Sequence, residues 1–290
     1  MRSFLISICL FLSLVCSAQV QSNNDTSFFK KWITPKRAVI GGIILQQASS
    51  SIIEYYWWWH ERGQPFNINN DGFWNNYSLG MDKLGHAYIS YMATHSIYEA
   101  MNWAGFTEKT SFYTSLGVSF FWALSIEMGD AHTVWGFSNT DLAANMLGIG
   151  YAVLQQKVPV LNNFNFTFSY FPSRYFMNGD GQNWSLTSDY DGHCYWLNVN
   201  VSELIPKRSR IKWPSYFNVS IGYSTYSNVQ DGILNRSRQL NAGFAFNLNH
   251  WRPENKGAKA IKNVLRYIQL PGPGVSIMNG NAKATPFLIH

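Results

Sequence analysis

Phe164-Asn165-Phe166-Thr167-Phe168-Ser169-Tyr170 alternates large apolar with small polar residues without a break. Successive side chains of a strand point to opposite faces, so this stretch reads as a strand with one apolar and one polar side. The same period recurs at Tyr195, Leu197, Val199 and Val201, at Phe217, Val219, Ile221 and Tyr223, and at Leu240, Ala242, Phe244, Phe246 and Leu248. The spacing predicts an antiparallel sheet of four to five strands over 159–250. Such strands resemble those of outer-membrane barrels, yet they are fewer than the roughly eight that close the smallest single-chain barrel. The expectation is a sheet laid against helices or a membrane surface. The alternative is an outer-membrane pore built from several copies.

Upstream the period changes. A helix is expected over about 35–59, with Thr34 as N-cap and Pro35 at the tolerated first position. Further helices follow over 81–103, ended by Gly105, over 108–128 behind Thr107, and from 138 to about 156 before Pro159. These last three approach the ~20-residue membrane length, but none is a clean apolar block. Their Ser, Ala and Gly content suits close helix packing. The fold class read here is α+β: a membrane-associated bundle of about four helices followed by the antiparallel sheet. Boundaries fall at 1–18 (signal peptide), 19–36 (polar linker), 37–158 (helical domain), 159–250 (strands) and 251–290. That last stretch holds a short amphipathic helix over 256–269, stopped by Pro271-Gly272-Pro273-Gly274, and a tail.

Arg2, the apolar run 4–15 and the small residues Cys16-Ser17-Ala18 form a secretory signal, cleaved after Ala18. A lipoprotein reading cleaves before Cys16 and ranks second, because Ser13-Leu14-Val15 lacks the small residue that such processing prefers. Cleavage after Ala18 leaves only Cys194, so an intrachain disulfide is excluded and Cys194 reads as packing. Export and a net charge of +6 argue against nucleic acid and for anionic lipid headgroups or acidic envelope polymers. The run Tyr55-Tyr56-Trp57-Trp58-Trp59 has the amphipathic rings of a membrane–water interface. The partners expected are membrane lipid and a protein of the envelope. The setting is the cell envelope, facing the periplasm, with the outer membrane as one location.

Only 13% of residues are charged, so charges inside the helical stretches carry information. Asp82 and His86 lie one turn apart, so the carboxylate can fix the imidazole tautomer and leave the other nitrogen as base or ligand. Glu127 and Asp130 place two carboxylates near the negative end of a helix, where they repel unless a proton or cation intervenes. Asp82, His86, Glu127 and Asp130 are therefore the candidate catalytic groups. Lys83, Asp141 and Asn145 are candidates for holding substrate, and His86, Glu127, Asp130 and His132 for holding a divalent metal. Each has a plainer reading. Asp82 suits a helix N-terminus, Asp141 completes a capping box opened by Ser138, and Asn145 needs only an interhelical partner.

Asp82-Lys83-x-x-His86, an acidic residue some forty positions on, and Asp141-x-x-x-Asn145-x-x-Gly148 together resemble the pattern of the YfiM-like family, described as predicted periplasmic lipoproteins of unknown function. More distantly they resemble VanZ-like membrane proteins linked to glycopeptide resistance. The likeness covers about 79–155 and implies a shared helical site without naming a reaction. The leading expectation is a polar site acting on an envelope lipid or lipid-linked substrate by hydrolysis or group transfer. The rival is a structural or assembly protein in which the same residues form a packing network.

Overall fold

A computed structural model describes residues 34–60, 63–178, 187–206, 208–230, 233–248 and 250–288. The signal peptide, Cys16, nearly all of the polar linker and Lys207 lie outside the described residues.

Among the described residues, four long helices precede the strands. Helix α1 (Pro35–Glu54) is capped by Thr34, whose hydroxyl accepts the Arg37 N–H, and it runs into a π-helical turn, Tyr55–Trp59. Helix α2 is Met81–Trp103 and ends at Gly105, whose φ of +82° closes the C-terminus. Helix α3 (Glu108–Asp130) starts at Thr107, which accepts the Thr110 N–H. Helix α4 is Asn139–Lys157. Short helices α5 (Arg174–Asn178), α6 (Val201–Leu204) and α7 (Lys256–Leu265) lie among the strands.

The sheet has six strands, not four or five: β1 Phe164–Tyr170, β2 His193–Val199, β3 Phe217–Gln230, β4 Ile233–Phe246, β5 Gly272–Met278 and β6 Asn281–Leu288. They pair in chain order and all antiparallel. The two strands missing from the sequence reading follow Pro271, whose Pro-Gly repeat looks like a terminator. Here the glycines have another purpose. A Cβ on Gly274 would press on the Ala242 carbonyl and the Leu288 side chain, so β5 needs glycine to lie close beside β4 and β6. The membrane-associated bundle is not matched either: no helix among the described residues is long and apolar enough to cross a membrane. Polar residues such as Gln46, Gln47 and the run of serines in α1 dilute the apolar runs.

The chain forms two compact units. One comprises Met1–Asp71, Ile89–Val153 and Pro253–Ile261; its core joins Val39 and Ile43 of α1 to Ile97, Ala100, Met101 and Ala104 of α2, with Phe106 and Val118 against them. The loop before α2 and the loop after α3 are laced within this unit. Backbone hydrogen bonds run from Asn67 to Ala131, from Phe137 to Asn67 and from Asn69 to Phe137, and the Asn67 amide also donates to the Ala131 and Thr133 carbonyls.

The other unit comprises Gly72–Tyr88, Leu154–Arg252 and Lys262–His290, and it is the sheet with the start of α2 packed on it. Its polarity is reversed relative to a water-soluble sheet. The buried face carries Thr167, Ser169, Asn198, Ser220, Ser224 and Asn241, while Ile221, Leu240, Phe244 and Phe246 point outward. Gln269 threads the buried face: its amide oxygen accepts from Thr167 and Asn198, and its amide nitrogen donates to Ser220. Gly222 stands opposite Trp196, and a Cβ there would strike the indole, so a small–large pair seats the one bulky ring.

Candidate functional site

The start of α2 is built by a turn that leaves nothing to chance. Asn76 Oδ1 accepts the N–H groups of Ser78 and Gly80 and the Ser78 hydroxyl, and Ser78 Oγ in turn accepts the Asp82 N–H. Gly80 has a φ of +88° and its Cα lies against the Trp74 ring, a place that only glycine fills without strain. Tyr223 of β3 donates to the Leu79 carbonyl at 2.6 Å and fixes the turn to the sheet.

Asp82 therefore enters the first helical turn, where the backbone N–H groups favour a negative charge. Lys83 Nζ donates to Oδ2 at 2.9 Å and the Tyr190 hydroxyl to Oδ1 at 2.9 Å; His86 Nε2 lies 3.8 Å from Oδ1. Burial opposes ionisation here, but His86, Lys83 and the two hydrogen bonds outweigh it and hold the carboxyl below its usual range. Tyr190 also meets Tyr77, hydroxyl to hydroxyl, at 3.1 Å. Burial, with Asp82 and Tyr77 beside it, pushes its phenol well above the ordinary value, so it remains a donor. The side chains of Lys83 and Asp82 are 5% and 15% exposed and that of His86 19%, which leaves His86 as the most open member of the group. Gly85 admits the Tyr195 hydroxyl against the helix backbone, 3.0 Å from where a Cβ would stand.

The remaining predicted residues belong to the other unit. Glu127 is buried at the end of α3 and accepts the Ser138 N–H through Oε2 at 3.2 Å, tying α3 to the residue that caps α4. Asp130 accepts the Trp59 indole N–H at 2.8 Å. Gly129 makes this possible, because any Cβ there would overlap the Trp59 ring. His132 is exposed, its ring edge-on to Phe66, with no hydrogen bond to either carboxylate among the described residues. Asp141 donates its N–H to Ser138 Oγ at 3.1 Å, one half of the expected capping box; the Ser138 N–H goes to Glu127 in place of the Asp141 carboxylate. Asn145 is buried and accepts from Ser90 of α2 at 2.7 Å.

Sequence reasoning missed Glu54, 5% exposed at the end of α1. Oε1 accepts the Trp122 indole N–H at 3.2 Å, and Oε2 has no hydrogen-bond partner among the described residues. Burial, and the charge of Asp130, raise its pKa to about 7 against the opposing Trp122 hydrogen bond. The signal was present: Glu54 is the only charged residue between Arg37 and His60. Tyr77 and Tyr190 were also missed, since nothing local ties a distant tyrosine to a helix start. Cys194 is buried in the sheet against Trp196 and Leu288, and burial drives its thiol far above the ordinary value, which suits packing and not nucleophilic attack.

Residues 71–157 match the model of a family described as predicted periplasmic lipoprotein (DUF2279). The match spans all of α2, α3 and α4, and it agrees with an exported, envelope-associated protein. No curated protein and no solved structure matches the chain.

Proposed function

We propose that the Asp82–His86 face of α2 is an acid–base centre of an envelope protein that acts on an envelope lipid or lipid-linked substrate by hydrolysis or group transfer. One observation supports this above the rest. Asp82 is held ionised by Lys83 and Tyr190, while His86, one turn on and more exposed, faces the same carboxylate at 3.8 Å. A fixed carboxylate favours the imidazolium, so His86 takes a proton from an attacking hydroxyl or water and returns it to the leaving group. Tyr190 and Lys83 position the carboxylate; they need not touch substrate. Glu127 and Asn145 accept hydrogen bonds from Ser138 and Ser90 within the helical unit and are read as structural.

A second reading has its own support. Both oxygens of Asp82 already accept from protein donors and Lys83 is buried, as a packing network requires. The family description also brings forward the Cys16 alternative, in which an acylated Cys16 tethers the chain to a membrane. To separate the two readings, we would melt His86→Ala and Asp82→Asn and assay both on lipid-linked substrates. The catalytic reading expects His86→Ala to keep the wild-type melting temperature and lose turnover. Equal loss of stability in both variants, with any turnover intact, sinks it. Metal content of the same preparations tests whether His86 holds a divalent cation or acts as a base alone.

A further inference from the structure

The outward face of the sheet is apolar in register, row upon row. Phe166, Leu197, Ile221, Ala242 and Val275 line up across five strands, and Val199, Val219 and Phe244 form the row beside them. Residues 72–88 cover the row that runs through Tyr195 and Tyr223, by Gly85, Tyr88 and Trp74. Past that cover the face stays bare: Leu240, further along the same row, and Ile221 in the next are each 56% exposed, and Phe244 is 44%. Between β3, β4, β5 and β6 this face holds a groove of about 650 Å³ lined by Trp213, Val219, Ala242, Phe244, Val275 and Pro286.

The end of the β3–β4 pair nearest this groove is fringed differently. Trp213 lies over Phe244 with ring centroids 6.1 Å apart, Phe217 faces Phe246 at 5.9 Å, and Tyr216 meets His250 at 4.2 Å. Adjoining them in sequence are the exposed cations Arg208, Arg210, Lys212 and Arg252, none in an ion pair among the described residues. No acidic residue occurs between Glu203 and Asp231. Apolar face, aromatic fringe, then unneutralised cations is the order of layers met on passing from acyl chains through the interface to anionic headgroups. A sheet meant for water would put its Ser, Thr and Asn outside; this one spends them on an interior hydrogen-bond chain and leaves its apolar side unpartnered.

We infer that the outward face of the sheet docks on an anionic lipid bilayer, with acyl chains against the Phe244 groove and lipid phosphates at Arg210, Lys212 and Arg252. The interface rests on residues separate from the Asp82–His86 centre and stands or falls without it.

The test offers the mature chain, diluted from detergent, to vesicles of phosphatidylcholine alone or mixed equally with phosphatidylglycerol, and measures flotation. Binding should favour the anionic vesicles and fall by roughly tenfold or more in Arg210→Glu/Lys212→Glu, since each cation near an anionic surface contributes measurably. These cations are on an exposed loop, so the variant should keep the wild-type melting temperature. A spin label on Ile221→Cys should become accessible to oxygen and shielded from a water-soluble nickel relaxant on binding. His86→Ala should float like the wild type. Equal flotation with both vesicle types and no response to charge reversal overturns the inference. So does a concentration-dependent dimer, abolished by Phe244→Asn, in a protein that does not float, because a second copy then covers the face.

Discussion

Along α3 the buried positions are Ser111, Ser115, Ser119, Ala123 and Glu127, four apart; along β3 one face is buried at Asn218, Ser220, Gly222 and Ser224, two apart. Both elements hide small polar residues and turn large apolar ones outward, Phe121 in the helix and Ile221 in the strand. The hidden groups are used differently. Ser111 and Ser119 have no hydrogen-bond partner among the described residues, so their value in the helix is size: a small side chain lets a neighbouring helix approach. Ser220 donates to Asn198 and accepts from Gln269, and Ser224 accepts from Asn241, so in the sheet the same residue type is a link in a chain. Buried carboxylates divide the same way. Asp82, on the helix start packed in the sheet's unit, has an ammonium and a phenol and is held ionised; Glu54, in the helical unit, has one indole and is held protonated up to about pH 7. The lesson is that burial alone does not tell what a polar side chain is for; its partners do.

The largest effect should come from filling the space beneath Trp196. Gly222→Val places methyl groups where the indole lies, and the sheet should lose about 3 kcal/mol, measured by urea unfolding. If the loss is small, the interior of the sheet is looser than the helix packing, and the contrast drawn above fails.

Next comes a pH series on Glu54. Its folded pKa of about 7 exceeds its ordinary value of 4.5, so the folded chain keeps a proton that the unfolded chain releases. Its contribution is fully present below about pH 4.5 and declines as pH rises to about 7, by at most on the order of 3 kcal/mol. Glu54→Gln should remove that slope from the unfolding midpoints. Asp82 has the opposite sign: its depressed pKa adds stability above 3.8 that is lost as pH falls below it, and Asp82→Asn should flatten that acid limb.

Ser220→Ala and Ser119→Ala then sharpen the comparison directly. The first leaves Asn198 and Gln269 each short of a partner and should cost about 1–2 kcal/mol; the second removes a hydroxyl with nothing to bond and should fall within about 0.5 kcal/mol of wild type. Equal costs in the two variants would mean that the serines serve one purpose in both regions.

Much of this architecture is legible in the chain. Thr34, Thr107, Gly105 and Ser138 mark helix ends because capping is local chemistry, and β1 announces itself by alternation. The alternation at Val275, Ile277 and Ala282 is disguised by the Pro271-Gly272-Pro273-Gly274 that stands before it. Asn279-Gly280 was the missed clue: φ values of 50° and 78° there form the two-residue turn that joins β5 to β6. The Asp82–His86 pair was readable from its one-turn spacing, and so was the single charge at Glu54. What fills the other side of Asp82 was not, since Tyr190 reaches it across 108 residues of sequence. Nor does alternation say which face of a strand goes inside; only the paired partners of Ser, Thr and Asn decide that.

The outer edge of β1 has a consequence for the order in which the chain folds. Phe168 exchanges backbone hydrogen bonds with Tyr267 and Gln269, so the free edge of the first strand is sealed by a segment about a hundred residues downstream. Loop closure over that distance is slow and unpaired strand edges invite aggregation, so the long β3–β4 hairpin, whose contacts are local, is the natural nucleus. A chain exported from its N-terminus therefore carries β1 across with its edge open, and the exposure ends only when residue 269 has followed. Any periplasmic chaperone that binds open strand edges has that interval, and no other, in which to guard this one.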